Sequence, residues 1–183
     1  MRRLGRLLAF VLVSGLFVLL AIWLLNNFNP RSVWFAFLWN WLAISYLAVL
    51  GQFLPVVFPD SYYALSRFES DGAVYSALGI RLFQKVVRLA PLALFSPGLR
   101  FNSRRDLLNR LEMEMRRVEA AHALAFWLVT ISALLFWWRG LAPAAAWMMV
   151  FNLPLNVYPV MLQRYNRGRW VRLAPKLGKL DDL

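Results

Sequence analysis

Cysteine is absent from this 183-residue sequence, and histidine occurs once, as His122. The lack of cysteine excludes disulfide bonds and thiolate metal sites, and a single imidazole excludes a metal centre held by several histidines. We therefore predict no metal site. The sequence also contains no serine-hydrolase elbow, no phosphate-binding P-loop, no dinucleotide-binding glycine motif and no HExxH zinc motif, so these enzyme classes are not indicated.

Acidic residues are scarce, since 9 Asp and Glu face 21 Lys and Arg and give a formal net charge of +12. Basic proteins often bind nucleic acid, but here the charges alternate with apolar runs of lipid length. We therefore predict anionic lipid headgroups or a phosphate-bearing substrate as partners, and no nucleic acid.

Apolar residues are abundant, at 61% of the chain, and the mean hydropathy is +0.53. A soluble domain is closer to half apolar. The sequence thus predicts an all-α polytopic membrane protein, with four transmembrane helices and additional cytoplasmic amphipathic helices in a single membrane domain over residues 1–183. The predicted spans cover residues 7–25, 33–58, 123–138 and 141–162.

Lysine and arginine are distributed unevenly around these spans. Nineteen of the 21 lie before the first span, in the amphipathic segment 59–122 or in the basic tail 163–183, which leaves Arg31 and Arg139 on the other side. The positive-inside rule then places both termini and the middle segment in the cytoplasm.

The middle segment contains a short amphipathic helix and two interruptions. Apolar residues occupy one side of the helix and basic residues the other, a pattern typical of a helix in the headgroup plane. These residues are Ile80, Phe83, Val87 and Ala90 on the apolar side, and Arg81, Lys85 and Arg88 on the basic side. Gly72 and Gly79 are predicted interruptions. A further helix is predicted to start near Ser103 and Asp106 and to continue into the third span.

Glu119 and His122 lie three residues apart on that helix, and therefore on one face of it. Imidazole titrates near neutral pH, so His122 could act as a general base whose ring is oriented by the carboxylate. Alternatively, His122 is an interfacial residue at a helix entrance, and Glu119 pairs with Arg116 or another cation. The spacing leaves both interpretations open.

Three other polar constellations each have two interpretations. The run from Gln163 to Arg169 either anchors a span at the headgroups or forms an anion site, because guanidinium donors match phosphate and carboxylate. Asn152, Asn156 and the prolines beside them indicate either a kink that opens a polar pocket or interhelical packing. The acidic turn at 66–72 either binds a metal or hydroxyls, or is solvated. Its spacing matches no Ca²⁺ loop, so the solvated turn is preferred.

Four blocks of residues between about positions 60 and 175 carry a resemblance to a known family. They are Arg67-Phe68-Glu69 with Gly72 and Tyr75; Arg81 with Lys85; Glu114, Arg116, Glu119 and His122; and Asn152 with Pro154, followed by Gln163-Arg164-Tyr165-Asn166-Arg167 and Arg169. Together they resemble the glycosyl-4,4'-diaponeurosporenoate acyltransferases, small integral-membrane enzymes that complete staphyloxanthin-type carotenoids.

The resemblance implies transfer of a fatty acyl group to a sugar hydroxyl of a glycosylated lipid in the inner membrane of a bacterium. Acyl-CoA or acyl carrier protein would be the donor substrate, and no tightly bound cofactor is implied. His122 would be the general base and Glu119 would fix its tautomer. Substrate binding is assigned to Arg164, Tyr165, Asn166, Arg167, Arg169, Arg116, Glu69, Arg81, Lys85 and Asn152. Among these, Arg164, Arg167 and Arg169 would hold the donor phosphates, with Lys85 or Arg81 as helpers. Asn166 or an arginine would stabilise the oxyanion.

Two other functions remain open from the residues. One is a lipid or isoprenoid methyltransferase whose arginines hold a nucleotide-like cofactor. The other is a non-enzymatic membrane subunit whose basic face binds anionic lipid or a partner protein.

Overall fold

A computed structural model of the protein describes residues 2–54, 57–70, 72–89 and 104–181, and these residues form helices with no strand among them. The predicted all-α class is confirmed. The helices are α1 (Arg2–Asn27), α2 (Val33–Phe53), α3 (Asp60–Tyr63), α4 (Arg67–Ser70), α5 (Ala73–Ala77), α6 (Ile80–Leu89), α7 (Arg104–Trp138), α8 (Ala142–Asn152) and α9 (Tyr158–Asp181), with a π-helical turn at Leu153–Val157.

Four helical stretches among the described residues are long and apolar enough to cross a membrane. They are Leu4–Asn27, Val33–Phe53, Leu111–Trp138 and Ala142–Arg172. The predicted number of spans is therefore confirmed, although the bounds differ. The second helix ends at Phe53 rather than at residue 58, and the basic tail continues α9 as helix to Asp181.

Helix α7 contains 35 residues and is therefore about 52 Å long at 1.5 Å per residue, well beyond the thickness of the hydrocarbon core. No Gly or Pro interrupts its sequence, so the charged first half continues directly into the apolar second half. This is the continuous helix predicted to begin near Ser103 and Asp106; Ser103 and the side chain of Asp106 lie outside the described residues.

The chain forms two compact units, and α7 contributes to both. The first unit consists of the described residues within Met1–Val57 and Ala120–Pro159, and the second of those within Phe58–Glu119 and Val160–Leu183. The single membrane domain over residues 1–183 stays a prediction.

Small residues allow the helices of the first unit to approach closely. Ala36 on α2 and Ala145 on α8 are buried beside Phe35 and Met148, which are fully buried. Alanine at a helix contact brings backbones together, the usual way in which membrane helices gain packing energy. Helix α1, in contrast, leaves large apolar side chains such as Leu12 and Leu19 exposed, as a lipid-facing helix does.

The second unit begins with short helices separated by glycines. Gly72 and Gly79 have φ angles of 77° and 79°, which confirms the two predicted interruptions. On α6, Ile80 is buried while Arg81 and Lys85 are exposed, so the predicted amphipathic helix is present. Ala90 and the side chain of Arg88, which were part of that prediction, lie outside the described residues.

Candidate functional site

Glu69 and Arg164 form a bidentate ion pair in the second unit. Arg164 donates from Nε to Glu69 Oε1 at 2.7 Å and from Nη2 to Oε2 at 3.0 Å. The hydroxyl of Tyr75 also donates to Oε1, and Ser66 donates to Oε2 through its backbone N–H and its hydroxyl. These donors, Arg164 above all, hold the pKa of Glu69 well below its usual range. Burial, together with the hydrogen bond to Glu69, raises the pKa of Tyr75 to about 12.

Arg164 uses all five of its N–H donors within the second unit. Besides the pair to Glu69, Nη1 donates to the Tyr62 carbonyl at 3.1 Å and to Glu119 Oε1 at 3.2 Å, and Nη2 donates to the Ala64 carbonyl at 3.4 Å. Its predicted contact with a donor phosphate would therefore require one of these acceptors to be released. In the structure Arg164 ties α9 to the segment that carries α3 and α4.

Glu119 is fully buried and binds two arginines of α9. Its Oε2 accepts a hydrogen bond from Arg167 Nη1 at 2.5 Å, while Oε1 accepts the one from Arg164. The cation partners are therefore Arg164 and Arg167, whereas Arg116, the partner considered from the sequence, pairs with Asp60 and Glu112. Two guanidiniums around one carboxylate leave an excess of positive charge at this point.

Arg167 is 3% exposed and lies with its guanidinium carbon 5.3 Å from the centre of the Tyr63 ring. Its Nη1 is bound to Glu119, while Nε and Nη2 find no acceptor among the described residues. Asn166, another predicted substrate-binding residue, lies beside it on α9 and is half-buried. Glu119 therefore directs Arg167 inward, away from solvent.

A cleft of about 830 Å³ lies in the second unit, and we call it the basic cleft. Its described lining contains four cations and no carboxylate; the lining residues are Gly72, Ala73, Ser76, Arg81, Gln84, Lys85, Tyr165, Arg169 and Arg172. It brings together four of the predicted substrate-binding residues: Arg81, Lys85, Tyr165 and Arg169. Arginine forks and a lysine ammonium are suited to phosphate oxygens.

Tyr165 and Gly72 pack against each other in the wall of the basic cleft. A Cβ added at Gly72 would come within 2.9 Å of Tyr165 Cε2, so only glycine allows the ring to lie where it does. The Tyr165 hydroxyl is hydrogen-bonded to Arg81 and Ser76, and the Arg169 guanidinium lies 5.9 Å from the ring centre. Tyr165 thus positions two of the cleft's arginines.

His122 belongs to the first unit and has an amide as its partner. Its Nδ1 lies 3.3 Å from Asn156 Oδ1. Asn156 donates from Nδ2 to Asn152 Oδ1 at 2.8 Å, and Asn152 donates to the Phe126 carbonyl at 3.1 Å. The family resemblance implies that Glu119 orients the imidazole; in the structure Glu119 and His122 have different partners. Whether either residue takes part in catalysis stays a prediction.

Two functional candidates were not predicted from the sequence. Asn40 on α2 is fully buried and interacts with Asn156 at 3.5 Å, and the Thr130 hydroxyl on α7 accepts a hydrogen bond from Asn152 at 3.2 Å. The available signal was the presence of an amide in the middle of an apolar span, because such a group needs a hydrogen-bond partner.

Residues 59–176 match the family model described as glycosyl-4,4'-diaponeurosporenoate acyltransferase. The match covers well over half of the chain and contains all four blocks on which the resemblance rests, including the basic cleft. No curated protein and no solved structure was found to be similar to the chain.

Proposed function

Because the chain belongs to the glycosyl-4,4'-diaponeurosporenoate acyltransferase family, we propose that it moves a fatty acyl group from an acyl thioester to a hydroxyl of a glycosylated lipid. The family is one of acyltransferases that act on a glycosylated carotenoid, and the four apolar helices make this chain a membrane protein. To this family assignment the proposal adds three elements: an acyl thioester as donor, the site that binds the donor, and the general base. The acceptor is a carotenoid glycoside or a similar lipid.

The observation that carries the proposal is the basic cleft. Acyl-CoA carries several phosphates, and acyl carrier protein presents its acyl chain through a phosphodiester, so either donor needs a cationic site. Arg81, Lys85 and Arg169 line a cleft of about 830 Å³, a volume typical of small-molecule sites. We assign the donor phosphates to these three residues, because Arg164 already uses its donors within the protein.

The chemical step needs a group that removes the proton of the acceptor hydroxyl, and we assign this role to His122. The neutral imidazole accepts the hydroxyl proton while the oxygen attacks the thioester carbonyl carbon and forms a tetrahedral intermediate. Collapse of the intermediate breaks the carbon–sulfur bond, and the imidazolium returns the proton to the leaving thiolate. The products are the O-acyl ester and the free thiol.

We further propose that the charged segments lie on the cytoplasmic side of a bacterial inner membrane. Nineteen of the 21 Lys and Arg residues fall on one side of the predicted topology. A cytosolic thioester would then meet the basic cleft directly, and anionic headgroups would surround the remaining cations.

The proposal is tested with purified protein in lipid nanodiscs, supplied with acyl-CoA and a glycosylated lipid, with the O-acyl product measured by mass spectrometry. The substitution Arg81→Glu should raise the KM for acyl-CoA at least tenfold, because a negative charge replaces a phosphate contact. The matched control is Arg139→Glu, which reverses an exposed charge outside the cleft and should leave KM unchanged. Absence of product with any thioester, together with tight binding of S-adenosylmethionine, would contradict the proposal and favour a methyltransferase.

A further inference from the structure

We infer that three buried asparagines of the first unit set the tautomer of His122, with the proton on Nδ1 and the lone pair on Nε2. The three are Asn40, Asn152 and Asn156, and we call them the asparagine ladder. Each of them is 0% exposed. The inference names the atom that would accept the substrate proton, and in that respect it rests on the proposed role of His122 as a base.

The direction of the hydrogen bonds in the ladder is fixed where its amides contact backbone carbonyls. One end of the Asn152 amide lies 3.1 Å from the Phe126 carbonyl, which can only accept a hydrogen bond, so that end must be the NH₂ group. The Thr130 hydroxyl supports this assignment, because its own proton is donated to the Phe126 carbonyl at 2.7 Å and its lone pairs face Asn152. The Asn152 oxygen is therefore turned towards Asn156.

Asn40 is fixed in the same way from the other side. Its NH₂ group lies 3.0 Å from the Ala36 carbonyl and 3.1 Å from the Met148 carbonyl. Its oxygen is consequently the atom that faces Asn156, at 3.5 Å. Two backbone carbonyls thus determine the orientation of this amide, as one carbonyl does for Asn152.

Asn156 must satisfy both of these oxygens, and this requirement fixes its own orientation. Its NH₂ group donates to Asn152 at 2.8 Å and faces the oxygen of Asn40. The Asn156 oxygen is left to face His122 Nδ1 at 3.3 Å. With the Asn156 amide reversed, its oxygen would face the oxygens of Asn40 and Asn152, and its NH₂ group would face His122 Nδ1.

A ring nitrogen that faces an acceptor has to carry the proton. Nδ1 of His122 faces the Asn156 oxygen at 3.3 Å. A neutral imidazole protonated at Nδ1 has its lone pair on Nε2. In many enzymes a catalytic imidazole is oriented by a hydrogen bond to the ring nitrogen that does not react. Here an amide makes that bond in place of a carboxylate.

Interhelical packing alone would also explain buried asparagines in apolar helices. Packing requires that each amide has partners, but it requires no particular tautomer of the imidazole at the end of the ladder. The protonation state of the two ring nitrogens therefore distinguishes a positioning role from a purely structural one.

The experiment is ¹⁵N NMR of the full-length protein in nanodiscs with ¹⁵N-labelled histidine, above the pH at which the ring titrates. The chain has a single histidine, so one pair of ring signals reports the tautomer directly. We expect the wild type to carry its proton on Nδ1. Asn156→Leu, which removes the acceptor and keeps the branching at Cγ, should move the proton to Nε2, whereas Asn156→Asp should keep it on Nδ1.

The matched control is Ser132→Ala, which removes a buried hydroxyl of α7 whose hydrogen bond goes to its own helix, at Leu128. This variant should keep the wild-type tautomer. In the acyl transfer assay, Asn156→Leu should lower kcat by about 10- to 100-fold, the usual effect of losing an orienting partner, and should leave the KM for acyl-CoA unchanged.

A wild-type proton on Nε2 would overturn the inference, and this measurement needs no variant to fold. So would an Asn156→Leu variant that retains the Nδ1 proton. If instead the tautomer is as expected but His122→Ala remains fully active, the ladder stands and the proposed base is wrong.

Discussion

Arg164 binds Glu69 through a fork of two hydrogen bonds, of 2.7 Å from Nε and 3.0 Å from Nη2. The two residues are 95 positions apart in the sequence, so the pair joins α9 to the start of the segment matched by the family model. Removing Arg164 would deprive the partly buried Glu69 carboxylate of its cation, which is costly. The pair is therefore a structural anchor of the second unit.

The first prediction concerns the stability that this pair contributes. Glu69→Gln should lower the free energy of unfolding by about 2–3 kcal/mol, because Arg164 would lose the carboxylate bound by its fork and would keep only its bond to Glu119 as a charged contact. Thermal unfolding in nanodiscs measures the change. The control is Glu114→Gln, whose partner Arg117 is exposed, so that the loss should stay below about 1 kcal/mol. Equal losses in the two variants would contradict the structural role of the Glu69 pair.

The second prediction concerns pH. The folded protein holds the pKa of Glu69 below its unfolded value, so the stabilisation is fully present above the unfolded pKa and is lost as pH falls through the folded pKa. Unfolding measured from pH 7 down to acid pH should therefore show that the wild type loses its advantage over Glu69→Gln. A difference between the two proteins that does not change with pH would show that ionisation of Glu69 is not its source.

The third prediction concerns Gly72. Gly72→Ala should destabilise the protein by at least about 1–2 kcal/mol, because the position has a φ angle of 77° and the new Cβ would meet the Tyr165 ring. It should also raise the KM for acyl-CoA, since Tyr165 positions Arg81. Gly15→Ala is the control: it lies within α1, has open space around it, and should neither destabilise the protein nor change the KM. An unchanged KM in Gly72→Ala would show that the position of the Tyr165 ring does not affect donor binding.

The fourth prediction distinguishes a phosphate fork from simple positive charge. Arg169→Lys keeps the charge but loses the planar pair of donors, so it should still raise the KM for acyl-CoA several-fold. Lys85→Arg keeps charge and gains donors, and should be well tolerated. If Arg169→Lys leaves the KM for acyl-CoA unchanged at both low and high salt, the cleft attracts anions by charge alone.

The helices could be predicted from the sequence because their signals are local. Apolar runs of lipid length gave the four spans, and the absence of Gly and Pro between residues 104 and 138 gave the unbroken α7. Gly72 and Gly79 were predicted correctly as interruptions because a glycine signal is also local. The second span was predicted five residues too long, since the apolar run continues past the point at which the helix ends at Phe53.

The partners of the site residues could not be predicted, because they are distant in the sequence. The three-residue spacing of Glu119 and His122 reports only neighbours on one helix face. The structure pairs Glu119 with arginines 45 and 48 positions away, and it places Asn40 beside an amide 116 positions away. A helical pattern contains no information on which residue of another helix completes a hydrogen bond.

The most direct test of the account is the rate of O-acyl ester formation by His122→Ala relative to wild type, measured with saturating acyl-CoA and a glycosylated lipid. A general base typically contributes about 10²- to 10⁴-fold. We therefore expect kcat to fall by that factor while the KM for acyl-CoA stays unchanged, because the basic cleft is intact. A His122→Ala enzyme with wild-type kcat would contradict the account.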